Sequence, residues 1–398
     1  MKEKLFEKLG GLLLSGNEEG ALEILKKLMR DEDPEVRVAS LTVVDASMKR
    51  FYKVVEGAFP LVLKMTLSDP HVYVRGNALE VVGRASHCVP EIVRRHLPEV
   101  VLSIRSQDSD LAWNAVVTLG WIGGSNPELI APFMDQIGDS LNSRSEVARS
   151  ASAMAIGWIG GVSPELVEKY VPQLVDMAKS CDVEEVRLSV MDALASISHA
   201  NAKLLEGFLG DVALIALGDK NENIRGSALE AVIEVCKCFP EKAGAVTSSV
   251  LDSLSNEEAV NWKAIATLGL IGAESPNAIP YMLAELMRRL REPSNTIKVI
   301  ATLTMGWILG NNPEASAREA EKVIDKVAVL LKDKSPEVRR SAVEAIGWMS
   351  ANNLALLEKY MSVVFGMASK EKDETVRKKA EETVEFMKER LKQFNKDR

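Results

Sequence analysis

Ten times along the chain the same short pattern returns, at a spacing too regular for a domain built of dissimilar elements. Its fullest version is Ser335-Pro336-Glu337-Val338-Arg339-Arg340-Ser341-Ala342-Val343-Glu344-Ala345-Ile346-Gly347-Trp348. Ser335 is placed to cap free backbone N–H groups, and Pro336 sits where a helix has no amide hydrogen to lose. Counted from the arginine, apolar or small residues fall at −1, +3, +4, +7 and +10, one broad stripe on a 3.6-residue period. Equivalent anchors are Arg37, Arg75, Ala112, Arg149, Arg187, Arg225, Asn261, Lys298, Arg339 and Arg377, separated by steps of 36 to 41 residues.

Each anchored helix has a second helical stretch upstream, among them Glu18–Met29, Pro60–Leu67, Ile130–Leu141, Leu166–Lys179, Leu204–Leu217 and Leu354–Ala368. Residues 3–14 read as an extra cap and 375–394 as the last anchored helix. Turns such as Gly123-Gly124-Ser125-Asn126-Pro127-Glu128 stop one helix with glycine and start the next with a cap and proline. Helix pairs at this period predict an all-α solenoid, in which each repeat buries its apolar stripe against its neighbours.

The Pro-x-Val-Arg opening, the small residue at +3 and the Ala-Ile-Gly near the helix end resemble HEAT repeats, the armadillo-like two-helix units of adaptor and transport-receptor proteins. The resemblance implies a right-handed α-α superhelix of about ten pairs with an N-terminal cap helix and with second helices lining the inside. It also implies a structural ladder, in which Arg37, Arg75, Arg149, Arg187, Arg225, Arg339 and Arg377 meet an aspartate of a neighbouring repeat. Asp31, Asp69, Asp219 and Asp333 lie six residues before their anchors. Ala112, Asn261 and Lys298 depart from the arginine, so the ladder is expected to be broken or weakened there.

A longer period overlies the short one. Anchors four repeats apart differ by 149 to 152 residues, and Arg75-Gly76-Asn77-Ala78-Leu79-Glu80 matches Arg225-Gly226-Ser227-Ala228-Leu229-Glu230. The implied organisation is one solenoid over 1–398, with a cap at 1–15, four-repeat blocks at 16–165 and 166–316, and two further repeats with a tail at 317–398.

Positions +1, +5 and +9 point away from the buried stripe. Repeats three, four, seven and eight read Trp113-Val117-Trp121, Ser150-Met154-Trp158, Trp262-Ala266-Leu270 and Val299-Leu303-Trp307 there, whereas repeats two, five, six and ten are largely polar and repeat nine, with Arg340-Glu344-Trp348, is intermediate. Either neighbouring helices cover this second apolar line, or it is exposed as two patches that anchor a partner. On the second reading the partner-binding residues are Trp113, Val117, Trp121, Met154, Trp158, Trp262, Leu303 and Trp307. Acidic +5 residues, Glu80, Asp192, Glu230, Glu344 and Glu382, suggest a negative surface between the patches. Arg94-Arg95-His96 and Arg288-Arg289-Leu290-Arg291 are short basic runs, read as solvated faces or, less simply, as phosphate-binding sites.

Little catalytic chemistry is offered. The four histidines form no His-Glu pair, no zinc spacing occurs, and Cys88 and Cys238, at matching places, read as packing residues. No phosphate-binding glycine loop is present, so no cofactor and no metal are expected. The net charge of -8 and a pI near 5.4 argue against a sequence-independent hold on nucleic acid. No stretch is apolar enough to span a membrane, the N-terminus lacks a signal-peptide core, and a cytoplasmic location is expected. The expected function is a non-catalytic scaffold or adaptor that binds a protein or peptide on its inner helices. The alternatives are a nucleic-acid-binding or base-lesion-processing protein and a self-assembling structural solenoid, homodimers included.

Overall fold

The computed structural model of the chain describes residues 2–104, 106, 108–254 and 258–396, the side chains of 258–261 excepted. All regular structure among the described residues is helical. The first helix, Lys2–Leu14, closes at Gly16, whose φ of 76° favours glycine; the Gly16 and Asn17 N–H groups donate to the Leu13 and Leu12 carbonyls at 3.1 and 2.9 Å. Helix pairs follow, and the fold is an all-α solenoid of HEAT-like units.

The anchored helices run Pro34–Ser47, Val72–Cys88, Ser109–Ser125, Glu146–Gly160, Glu184–Ala200, Glu222–Cys238, Glu258–Glu274, Asn295–Asn311, Pro336–Ser350 and Glu374–Lys396. Their starts follow from local chemistry: the side chains of Asp33, Asp108, Ser145, Asn221, Ser294 and Ser335 accept backbone N–H groups of the first turn. In repeat nine the stripe Val338, Ala342, Val343, Ile346 and Met349 is 0% exposed throughout. Burying each of the larger of these side chains contributes about 1.5–3 kcal/mol, which outweighs the weak helix propensity of valine and isoleucine.

Upstream helices follow the expected pattern less closely. Glu18–Leu28 and Leu354–Lys370 lie where periodicity puts them. That of repeat two begins at Tyr52 and carries Pro60 inside it, on an exposed side where a carbonyl lacking its amide partner can bond water. In repeats four, five and six the stretch is broken: short 3-10 turns precede Met134–Asp139, Val171–Ser180 and Leu209–Gly218. Pro132 and Pro172 lie at two of these breaks, where the missing N–H weakens a continuing helix.

The chain divides into two compact units, residues 1–201 and 202–398, five repeats in each. Within each unit every anchored helix packs on the next. This division reflects compactness, whereas the blocks at 16–165 and 166–316 reflect recurrence of residue types.

Candidate functional site

The seven anchor arginines share one bond. Each donates from Nη1 to the main-chain carbonyl six residues back: Arg37 to Asp31 at 2.8 Å, Arg75 to Asp69 at 2.8 Å, Arg149 to Ser143 at 2.9 Å, Arg187 to Cys181 at 2.8 Å, Arg225 to Asp219 at 3.0 Å, Arg339 to Asp333 at 2.9 Å and Arg377 to Glu371 at 3.4 Å. The guanidinium thus satisfies a carbonyl in the bend between the paired helices. Pairing with the next repeat is added where a carboxylate is available. Arg37 grips Asp69 with two bonds, at 2.8 and 2.9 Å, and both residues are buried. Arg339 grips Glu371 in the same way at 3.1 and 3.0 Å; a glutamate in this role escapes a search for aspartates alone. Lys298, expected to break or weaken the series, holds Asp333 through a single contact at 3.1 Å. The ladder is therefore thinned there and not interrupted, because an ammonium supplies the charge without the two-pronged fork. The Asn261 side chain lies outside the described residues.

The second apolar line is neither sealed nor bare, and glycine at +8 explains why. A Cβ on Gly120 would lie 2.6 Å from Ala155 Cα, and one on Gly306 2.8 Å from Ala345 Cα, so these helices meet backbone to backbone. The Trp at +9 of the following repeat lays its ring in the space: Trp121 over Gly83, Trp158 over Gly120, Trp307 over Gly269 and Trp348 over Gly306. Trp121 meets Trp158 edge to face at 5.6 Å between centroids, and Trp307 meets Trp348 likewise at 6.3 Å. The outer faces of these rings remain open. Trp121 is 38% exposed, Trp262 46% and Trp307 42%, while Trp113, Val117, Met154 and Trp158 are half-buried. Leu303 is corrected: at 6% exposure, on the helix whose Gly306 brings it against repeat nine, it presents no surface to a partner.

In the N-terminal unit a groove of about 630 Å³ crosses the anchored helices of repeats two to five. Trp113 and Val117 form its middle, with Val72 and Leu79 on one side and Val147 and Val186 on the other. Three exposed carboxylates, Asp110, Glu146 and Glu185, line it and have no ion-pair partner among the described residues. The cation lining it among the described residues, Arg75, is committed to the carbonyls of Asp69 and Pro70. Trp121 lies instead in a separate notch of about 530 Å³ with Glu80, Gly83, Arg84 and His87. Met154 and Trp158 line neither. Val72 and Val147, both exposed, escape an analysis confined to +1, +5 and +9; their signal is a valine in the first helical turn, ahead of the anchor.

Other expectations change. Cys88 and Cys238 are exposed at the last position of their helices, so they do not pack; Cys236 is the buried thiol, and burial pushes its pKa up to about 12. The basic runs are largely paired within the protein. Arg95 bonds Glu56 and the Tyr52 hydroxyl, and buried Arg289 meets Asp252, Glu285 and Glu292. No cluster of three or more His, Cys, Asp or Glu side chains suited to a metal occurs among the described residues, and no helix there is long and apolar enough to cross a membrane.

No family model matches the sequence, and no curated protein does. Among solved structures the chain is similar to the karyopherin Kap121p bound to the extreme C-terminus of the protein phosphatase Cdc14p, with a TM-score of 0.62 and 14% identity over 94% of this chain and 43% of that one. Kap121p bound to Nup53p gives 0.61 and 14%, over 92% and 41%, and Kap121p bound to Pho4p gives 0.58 and 14%, over 92% and 41%. At this identity the likeness is one of fold. The chain spans about two fifths of the length of these neighbours.

Proposed function

We propose that the protein is a non-catalytic scaffold that holds a peptide segment of a partner protein on its anchored helices, with the groove at Trp113 as the docking point. The observation that carries this reading is the groove itself. Its volume lies within the roughly 300–1,000 Å³ of ordinary ligand sites, and four successive helices hold an indole at its centre. Trp is among the residues that most often dominate binding energy. Three unpaired carboxylates beside an apolar floor suit an apolar side chain flanked by lysine or arginine, and they repel the phosphates of nucleic acid. Neighbours of the same fold are solved with protein partners bound, which agrees with this class of function. The exposed Trp262 and Trp307 offer a second contact in the C-terminal unit.

The test is fluorescence anisotropy with a labelled peptide of leucine and lysine. Wild type is expected to bind it, Trp113→Ala to weaken binding by more than about tenfold, as loss of a central aromatic anchor does, and a triple reversal of Asp110, Glu146 and Glu185 to lysine to abolish it. Equal affinity of wild type and Trp113→Ala refutes the docking point.

A further inference from the structure

The upstream-helix layer of the C-terminal unit carries a surface of the opposite sign. Between Ile279–Arg289 and Pro313–Ala328, the upstream helices of repeats eight and nine, lies a cleft of about 500 Å³. Met287, Leu290 and Leu330 give it an apolar floor, and Val329 stands 70% exposed at its edge. Three cations line it, Arg288, Arg291 and Lys326, and no carboxylate among the described residues does.

Arginine and lysine near helix C-termini are ordinarily explained by the helix dipole. That accounts for part of this cluster only. Arg288 is paired with Glu285 at 2.6 and 2.8 Å, and Arg289 beside it with Asp252, Glu285 and Glu292, so neither guanidinium is left for a ligand. Arg291 and Lys326 have no ion-pair partner among the described residues. Nor does the dipole give a reason for Val329, an apolar residue in open water at the start of the turn Val329–Lys332, beside a floor in which Met287 and Leu290 are half-buried and Leu330 is buried.

We propose that this cleft docks an acidic peptide segment of a partner protein, seating one apolar side chain against Val329 and Leu290 and setting two carboxylates on Arg291 and Lys326. Charge complementarity selects the occupant. The chain carries a net charge of -8, so acidic segments are repelled in general and held where unpaired cations adjoin apolar surface. Carboxylate on guanidinium gives the directional half of recognition, and the buried side chain gives the rest. This proposal does not depend on the Trp113 groove, which involves other residues and the other charge sign.

The probe is a short fluorescein-labelled peptide of glutamate and leucine, used with the full chain in anisotropy titrations, beside a glutamate–glycine peptide and phosphatidylserine vesicles. Wild type is expected to bind the glutamate–leucine peptide, more weakly as salt rises, and to bind the glycine version at least tenfold more weakly. Arg291→Glu/Lys326→Glu is expected to lower affinity at least tenfold, and Val329→Ser to lower it severalfold with the salt dependence unchanged. All three positions are solvent-facing, and an unaltered circular dichroism spectrum confirms that the variants fold. Equal affinity of the charge-reversed variant overturns the proposal, as does equal binding of the leucine and glycine peptides. Binding of the vesicles without the peptide also overturns it and assigns the cleft to lipid headgroups.

Discussion

Replacing Arg37 with alanine tests whether the ladder or the carbonyl clamp carries the stability of these repeats. Arg37 makes four contacts: two to Asp69, at 2.8 and 2.9 Å, and two to the carbonyls of Asp31 and Glu32, at 2.8 and 3.0 Å. Its removal leaves the Asp69 carboxylate buried, with the His71 N–H at 2.9 Å as its remaining bond on that oxygen pair. Breaking one side of a buried ion pair costs about 3–5 kcal/mol. Arg75 supplies the comparison, because its bonds go to the carbonyls of Asp69 and Pro70 and it sits half-buried, where water can replace it. Arg75→Ala is expected to cost about 1 kcal/mol, the net worth of ordinary hydrogen bonds. A helical array does not unfold as one unit, so a global melting temperature blurs the difference. Native-state hydrogen exchange resolves it helix by helix. At about 1.4 kcal/mol per factor of ten, Arg37→Ala lowers protection of Pro34–Ser47 and Tyr52–Ser68 by more than about 100-fold, against about fivefold around Arg75. Equal losses from the two substitutions would refute the reasoning and place the weight on the carbonyl clamp.

Glycine at +8 gives a prediction of sign. In open helix positions Gly→Ala stabilises by up to about 1 kcal/mol, and Gly76, with open space where a Cβ would stand, should follow that rule. Gly306→Ala instead drives a Cβ to 2.8 Å from Ala345 Cα and lowers protection of Asn295–Asn311 and Pro336–Ser350; a gain in protection there would contradict the close packing. Glu285 gives a pH dependence: the hydrogen bond from Arg288, followed by that from Arg289, lowers its pKa from the ordinary 4.5 to about 2. A depressed folded value means the contribution is complete above about pH 4.5 and lost as pH falls towards 2. Exchange protection of Ile279–Arg289 should decline through that window, and an undiminished decline in Glu285→Gln would show that another group is responsible.

Much of the architecture is legible in the sequence because its signals are local. The caps Asp33, Ser145 and Ser335, the prolines after them and the 3.6-residue stripe act within one or two helical turns, so each anchored helix announces its own start. Proline in upstream helices is less readable, since Pro60, Pro132 and Pro172 are all exposed, yet Pro60 continues its helix and the other two accompany breaks. The candidate site is legible in part. Trp113 and Val117 can be named from their register, and the groove brings them together. Register alone does not decide whether a residue reaches solvent: Met154 is half-buried and Leu303, at the same position in another repeat, is covered. Yet both helices approach the next one equally closely, at 2.7 Å for a Cβ on Gly157 and 2.8 Å for one on Gly306. The groove walls at Val72 and Val147 carry a signal within their repeats, a first-turn valine off the +1, +5 and +9 register, whereas the cleft at Val329 arises from residues on separate helices and has no signature within one repeat.

The bond from each anchor arginine to a carbonyl of its own repeat has a consequence for how such an array changes over generations. What secures each bend is carried inside the link that contains it, so unequal recombination can add or delete whole links without disturbing the bends of those that remain. What must be renegotiated at a new junction is the facing carboxylate and the fit of the +8 glycine to the next helix, and the single-pronged Lys298 pairing shows that the first of these tolerates an imperfect match.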